Sequence, residues 1–288
     1  MRDLLYRIVG WDFIRMGKGI EARHERCADY WAPHLSCTKE FISKNITPGG
    51  RLAILGAGRL LDVDLTALQP LFSEIHLYDA DPTVLATWKR VSGKAYGKSV
   101  FGHIEDVTGS LNQWSAGLAP AHRRGELAEY LCGLSLRRGG WEKQLFDGVI
   151  SLNIIGQLPL YWRDRVLEIS DNLSGEEERA LVYTMALLQT GHVEALQDRP
   201  YAWAIAITDT EYYTYQVDYP EWDVADALHG TTRELLNGNK QTNLDVQEGT
   251  WLWHLSPQFV ECDTEGAIHR VEARAWKRQS ESYKSVSV

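Results

Sequence analysis

Arg51-Leu52-Ala53-Ile54-Leu55-Gly56-Ala57-Gly58 is the stretch on which the fold turns. Four apolar residues in a row, with no polar alternation, read as a strand buried on both faces, as in a parallel sheet. The strand runs straight into two glycines, whose missing Cβ lets a turn come close to a ligand. Upstream, Thr47-Pro48-Gly49-Gly50 breaks whatever precedes the strand.

The same grammar repeats downstream. Helical composition over 61–72 leads to a second strand at 74–78, which ends in Asp79-Ala80-Asp81-Pro82. Pro82 opens a helix over 83–91, and a third strand at 99–104 ends in Glu105-Asp106. After a longer, helical connection over 109–145, a fourth strand at 146–152 leads to Asn153. A helix is predicted over 161–173 and a fifth strand over 179–185. Strands alternating with helices specify an α/β fold, a doubly wound and mostly parallel sheet. Two further strand-like runs, 250–255 and 267–276, are close enough to pair as a C-terminal antiparallel hairpin, which makes a seven-stranded sheet.

Four segments follow from this reading. Residues 1–47 form N-terminal helices, with an apolar stripe through Cys27, Tyr30, Trp31, His34, Leu35, Thr38, Phe41 and Ile42. Pro33 is expected to open a second helix there. Residues 48–185 form the cofactor-binding core. Residues 186–249 are an insert before the hairpin, on the acceptor side of the site. Residues 250–288 hold the final hairpin and a polar tail beginning at Lys277.

Composition narrows the function classes. The chain has 288 residues, a net charge of −9 and no apolar run of the ~18 residues that a membrane span requires. The acidic balance argues against nucleic acid as a partner, which calls for a basic surface, and against a membrane partner there is the missing span. No clean signal-peptide core is present, so the protein is placed in the cytoplasm. Cys27, Cys37, Cys132 and Cys262 are scattered and read as buried thiols, not as a metal or disulfide frame. His24, His34 and His192 lack a second ligand at helical spacing, so no metal is expected. Eleven Trp and 13 Tyr against 6 Phe suit pocket walls and half-wet interfaces.

In an open α/β sheet, ligands bind beyond the carboxyl ends of the strands. That rule selects Gly56, Ala57 and Gly58 after strand one, Asp79 and Ala80 after strand two, Glu105 and Asp106 after strand three, and Asn153 after strand four. A carboxylate at the tip of the second strand can accept both hydroxyls of a ribose, and one at the tip of the third can accept from an adenine amine. Gln157 is a candidate for the same pocket. Tyr212, Tyr213 and Tyr215, among the carboxylates Asp209, Glu211 and Asp218, are candidates to face a cationic or aromatic acceptor.

With those residues in place, the chain resembles the class I, Rossmann-like S-adenosylmethionine-dependent methyltransferases over 50–185 and 250–276. Residues 54–58 resemble the first motif of that family, 77–81 the acidic second motif, 103–107 the adenine motif and 146–153 the fourth. The resemblance implies S-adenosyl-L-methionine as cofactor. Gly56 and Gly58 would then face its methionine part, Asp79 its ribose, Asp106 its adenine amine, and Asn153 would lie near the sulfonium. The family usually carries an acid where this chain has Ile54, and a third glycine where it has Leu60. Asp62 or Asp64 is expected to stand in for the acid. The implied function is methyl transfer to a small-molecule acceptor, and the aromatic segment leaves room for a homodimer contact. Two alternatives use the same residues. One is a nicotinamide-dependent oxidoreductase, and the other a non-catalytic module that keeps the fold and binds a partner or metabolite.

Overall fold

The computed structural model describes residues 2–197, 201–219, 221–238 and 244–278, with side chains from Phe13 onward. The last part of the expected polar tail, 279–288, lies outside the described residues. Strands β1 (Arg51–Leu55), β2 (Glu74–Asp79), β3 (Val100–Ile104) and β4 (Gly148–Leu152) pair in parallel, with β1 between β2 and β4. β1 carries the continuous apolar run Leu52–Leu55, the other three are short and rich in apolar residues, and β1, β2 and β4 are almost wholly buried.

The fifth strand differs from the expectation. Residues 179–185 belong to a helix, Gly175–Gln197, and strand β5 is Trp203–Tyr215, inside the segment expected to be an insert. The helix begins with a reciprocal cap. The Ser174 N–H donates to Glu177 (2.7 Å) and the Glu177 N–H to Ser174 Oγ (3.3 Å). Glu176, Glu177 and Glu178 also place negative charge at its positive end. Buried Ala180, Leu181, Thr184, Met185, Leu188 and His192 then recur at helical spacing on one face. The span 186–249 is therefore no simple insert. It holds the rest of that helix, a core strand, a short strand β6 (Asp223–Asp226) that pairs with β5, and a short helix (Thr232–Leu236).

Strands β7 (Leu244–Ser256) and β8 (Gly266–Arg278) form the expected hairpin, and β8 lies antiparallel beside β5. The order is β3-β2-β1-β4-β5-β8-β7, with β6 off this path, so the sheet has eight strands rather than seven. The β5–β8 register shifts between Asp209 and Glu211. Apolar cores fill both faces of the sheet. One contains Trp114, Trp141, Trp162 and Leu188, and the other Trp31, Ile42, Trp88 and Trp203.

Helix α1 (Arg2–Asn45) supplies part of the second core. It kinks at Cys27, not at Pro33, which sits inside it. Cys27, Trp31, His34, Thr38 and Ile42 are buried as the stripe predicts, but Tyr30 faces solvent. Only Cys27 of the four cysteines is buried, and Cys132 is exposed. Helix α2 is Leu65–Leu68, α3 Leu85–Ser92, α4 Leu111–Arg123 and α5 Leu127–Cys132.

Helix α6 (Ile154–Leu167) starts directly after Asn153, earlier than predicted, and carries Pro159 inside it. Pro159 has no N–H for the Ile155 carbonyl. Gln189 Nε2, on α7 (Gly175–Gln197), donates to that carbonyl instead at 2.9 Å. No helix among the described residues is long and apolar enough to cross a membrane.

Candidate ligand site at the strand ends

The strand order reverses direction between β1 and β4, so their crossovers diverge and leave a crevice beyond their carboxyl ends. A cavity of about 450 Å³ occupies it, within the roughly 300–1,000 Å³ of small-molecule sites. Its wall includes Gly56, Ala57, Gly58, Asp79, Ala80, Glu105, Asp106, Asn153, Gln157 and Tyr212. Ten residues selected from sequence thus meet in one place. Tyr213 and Tyr215 do not line it: the Tyr213 hydroxyl donates to Glu211, and both rings pack near Trp222.

The β1 turn is held from three sides. The Ala57 N–H donates to the Tyr78 carbonyl (3.0 Å), the Gly58 N–H to Asp79 Oδ2 (2.8 Å), and Trp88 Nε1 to the Gly58 carbonyl (2.8 Å). Gly56 has φ +69°, and a Cβ there would lie 2.6 Å from the Leu152 carbonyl oxygen, so glycine is required. Leu60, where the resembling family carries its third glycine, takes a left-handed φ of 61° and buries its side chain. Ile54 is core, with no contact to solvent. Of the two carboxylates expected to replace an acid there, Asp62 lines the cavity and lies 3.2 Å from His34 Nε2. Asp64 instead caps α2 through the Ala67 N–H.

Asp79 accepts the Gly58 N–H on one oxygen and the Asp81 N–H on the other, both at 2.8 Å. The Ala80 N–H also acts on this carboxylate, which lines the cavity. Burial pushes its pKa up, against the pull of those N–H groups. Asp106 is more fully engaged, accepting the Thr108 N–H (2.9 Å), the Thr108 hydroxyl (2.7 Å) and the Leu111 N–H (2.8 Å) at the start of α4. The Ser110 N–H is directed at it as well, so the turn into α4 fixes this carboxylate on the cavity wall. Glu105 accepts the Trp141 N–H at 3.1 Å, and burial raises both Glu105 and Asp106.

Asn153 occupies the left-handed region, φ 54° and ψ 8°, at the start of α6. Its N–H donates to the Ile207 carbonyl, while its buried Oδ1 has no hydrogen-bond partner. A buried, unpartnered carbonyl on a cavity wall is the signature of a site that expects a donor.

Helix α1 roofs the cavity with Phe13, Met16, Gly17, Ile20, Arg23 and Leu35. Gly17 is pressed against the turn after β2, since a Cβ there would lie 2.1 Å from Asp81 Oδ2. Arg59 bonds to Glu21 (2.9 Å), and Arg23 and Arg26 both reach Glu261 beyond β7, which ties the roof to the sheet.

The far wall was not identified from sequence as a unit. Asp209 and Tyr212 of β5, Trp253 of β7 and His269 of β8 line it. His269 Nδ1 lies 3.2 Å from Asp209 Oδ2, and its ring meets Tyr212 at 4.5 Å and Trp253 at 5.6 Å between centroids. Burial raises the Tyr212 hydroxyl well above its ordinary value, so it stays protonated, and it donates to the Gly156 carbonyl at 3.3 Å.

No protein-family model and no curated protein matches the chain. Solved structures do. A SAM-dependent methyltransferase from Leishmania major is 13% identical over 95% of this chain and 83% of its own, with a TM-score of 0.41. A precorrin-6y C5,15-methyltransferase from Geobacter metallireducens is 12% identical over 85% and 87%, with a TM-score of 0.37. A glycopeptide N-methyltransferase, solved with S-adenosyl-L-methionine, is 10% identical over 82% and 92%, with a TM-score of 0.33.

Proposed function

We propose that the protein is an S-adenosyl-L-methionine-dependent methyltransferase acting on a small-molecule acceptor. The observation that carries this reading is the convergence of four strand ends on one cavity. Gly56 and Gly58 provide a close turn, Asp79 and Asp106 buried carboxylates held in place by backbone N–H groups, and Asn153 an orphaned Oδ1. Those groups fit a nucleoside with a cationic tail: Asp79 for the ribose hydroxyls, Asp106 for the adenine amine, Asp62 for the ammonium of the methionine part. When bound, the cofactor supplies a methyl group activated on a sulfonium.

The chain's own residues orient the reactants and exclude water. The α1 roof lies over part of the cavity, which supports a small acceptor over a polymer. His269 stands as general base. Its Nδ1 is turned to Asp209, which leaves Nε2 to take up the proton an acceptor gives away. The nicotinamide alternative is weakened by Leu60 in the third glycine position and by the inverted strand order at β8.

The test is differential stabilisation. S-adenosylhomocysteine at about 100 times its Kd should stabilise the protein by about 2.7 kcal/mol, and NAD should not stabilise it. A melting temperature raised by NAD alone, or by neither compound, refutes the proposal.

A further inference from the structure

We infer that the acceptor methylated here is an amine that reaches the site as an ammonium ion. This rests on the methyltransferase reading and names its substrate class. Among the buried oxygens on the cavity wall that have no hydrogen-bond donor are Asn153 Oδ1 and Asp209 Oδ1, beside the Asp62 Oδ1 already assigned to the methionine part of the cofactor. Asp209 is 3% exposed and Asn153 8%. A hydroxyl acceptor brings one donor, whereas an ammonium brings two or more and a charge that a buried carboxylate favours.

The rest of the wall agrees. Tyr212, Trp253 and Tyr161 give it aromatic faces, which attract cations. The cavity carries six carboxylates, Asp62, Asp79, Asp81, Glu105, Asp106 and Asp209, against two guanidinium groups. Those two, Arg23 and Arg59, are paired with Glu261 and Glu21. An anionic acceptor would be repelled. Around Asp209 the titratable neighbours are His269 on β8 and Tyr212 on β5, with Arg163 of α6 acting on Tyr212 at longer range. His269 Nε2 can then take one proton from the ammonium and leave a nitrogen lone pair.

Sinefungin tests this without knowledge of the acceptor, because its amine stands where the transferable methyl sits in the cofactor. By calorimetry at neutral pH, the wild type should bind sinefungin about 10-fold or more tightly than S-adenosylhomocysteine. Asp209→Asn should lose most of that preference while its affinity for S-adenosylhomocysteine is kept. In the wild type, the preference should also shrink as the amine is neutralised at alkaline pH, a readout that does not depend on the variant folding. Equal affinities in the wild type, a preference untouched by Asp209→Asn, or a ratio flat with pH overturns the amine assignment. Failure to bind either compound overturns the methyltransferase reading beneath it.

Discussion

Replacing Asp79 separates its structural role from its binding role. In Asp79→Ala, the Gly58 and Asp81 N–H groups each lose a carboxylate partner at 2.8 Å. An unsatisfied buried donor costs about 1–3 kcal/mol. The cavity admits water to this edge, so the low end applies, about 2 kcal/mol for the pair. At roughly 2–4 °C per kcal/mol, the melting temperature should fall by about 4–8 °C. Cofactor affinity carries a separate penalty. Losing a hydrogen bond between a ribose hydroxyl and a charged acceptor costs about 1.5–3 kcal/mol, a factor of roughly 10–150 in Kd. Asp79→Asn distinguishes the two effects. Its amide oxygen can still accept one N–H, but its NH₂ faces the other, so about half the stability loss should remain. Its affinity for S-adenosylhomocysteine should fall nearly as far as in the alanine variant, because the charge is gone. Thermal denaturation and titration calorimetry at pH 7.5 read both quantities. Unchanged Kd in Asp79→Ala refutes the ribose assignment, and an unchanged melting temperature refutes the role given to the two N–H bonds.

Three further predictions address the scaffold. Gln189→Leu should leave the Ile155 and Ala227 carbonyls and the His229 N–H without partners; at about 1 kcal/mol or more each, urea denaturation should show a loss of about 3 kcal/mol. His192 is buried against Ser151 Oγ, and burial lowers its pKa from 6.5 to about 4. The stability it contributes is therefore present above pH 6.5 and lost as pH falls toward 4, so the wild type should lose about 2 kcal/mol more than His192→Gln between pH 7 and pH 5. Equal acid sensitivity of the two proteins would count against this. Gly17→Ala improves helix propensity by about 1 kcal/mol but drives a Cβ into Asp81, so S-adenosylhomocysteine affinity should fall while far-ultraviolet circular dichroism is unchanged.

How far the sequence could be read depended on whether the deciding contact was local. The tips of β1, β2, β3 and β4 were legible because each short strand, rich in apolar residues, gives way at once to glycine or polar residues, at Gly56, Asp79, Glu105-Asp106 and Asn153. The helix at Gly175–Gln197 carried its own start signal in Ser174 and Glu177, but the cluster Ala180-Leu-Val-Tyr-Thr-Met185 has strand composition and outweighed it. The helix predicted over 161–173 in fact begins at Ile154 and runs through Pro159, where the ordinary rule for proline expects a break. The rule fails here because Gln189, 34 residues from Ile155, satisfies the Ile155 carbonyl that Pro159 cannot. The Asp209–His269 contact had no local signal at all, since it depends on β8 inserting beside β5 ahead of β7.

The register shift in β5 explains why that wall has the residues it does. In a regular strand, side chains alternate, so Asp209 and Tyr212, three apart, would point to opposite faces. Both line the cavity. The β5–β8 ladder pairs Asp209 with Val271 but Glu211 with Arg270 and Tyr212 with His269, leaving Thr210 as the extra residue of a bulge. One inserted residue reverses the alternation, so Tyr212 joins Asp209 on the cavity face. Its cross-strand partner His269 lies on the same face, close enough to reach Asp209. The same reversal sends Tyr213 and Tyr215 to the other side, where they meet Trp222 instead of a ligand. Three tyrosines that look equivalent in the sequence are thus divided by a single bulge. The placement of His269, of the Asp209 carboxylate beside it and of Tyr212 on the cavity wall depends on that irregularity, which no periodicity in the strand announces.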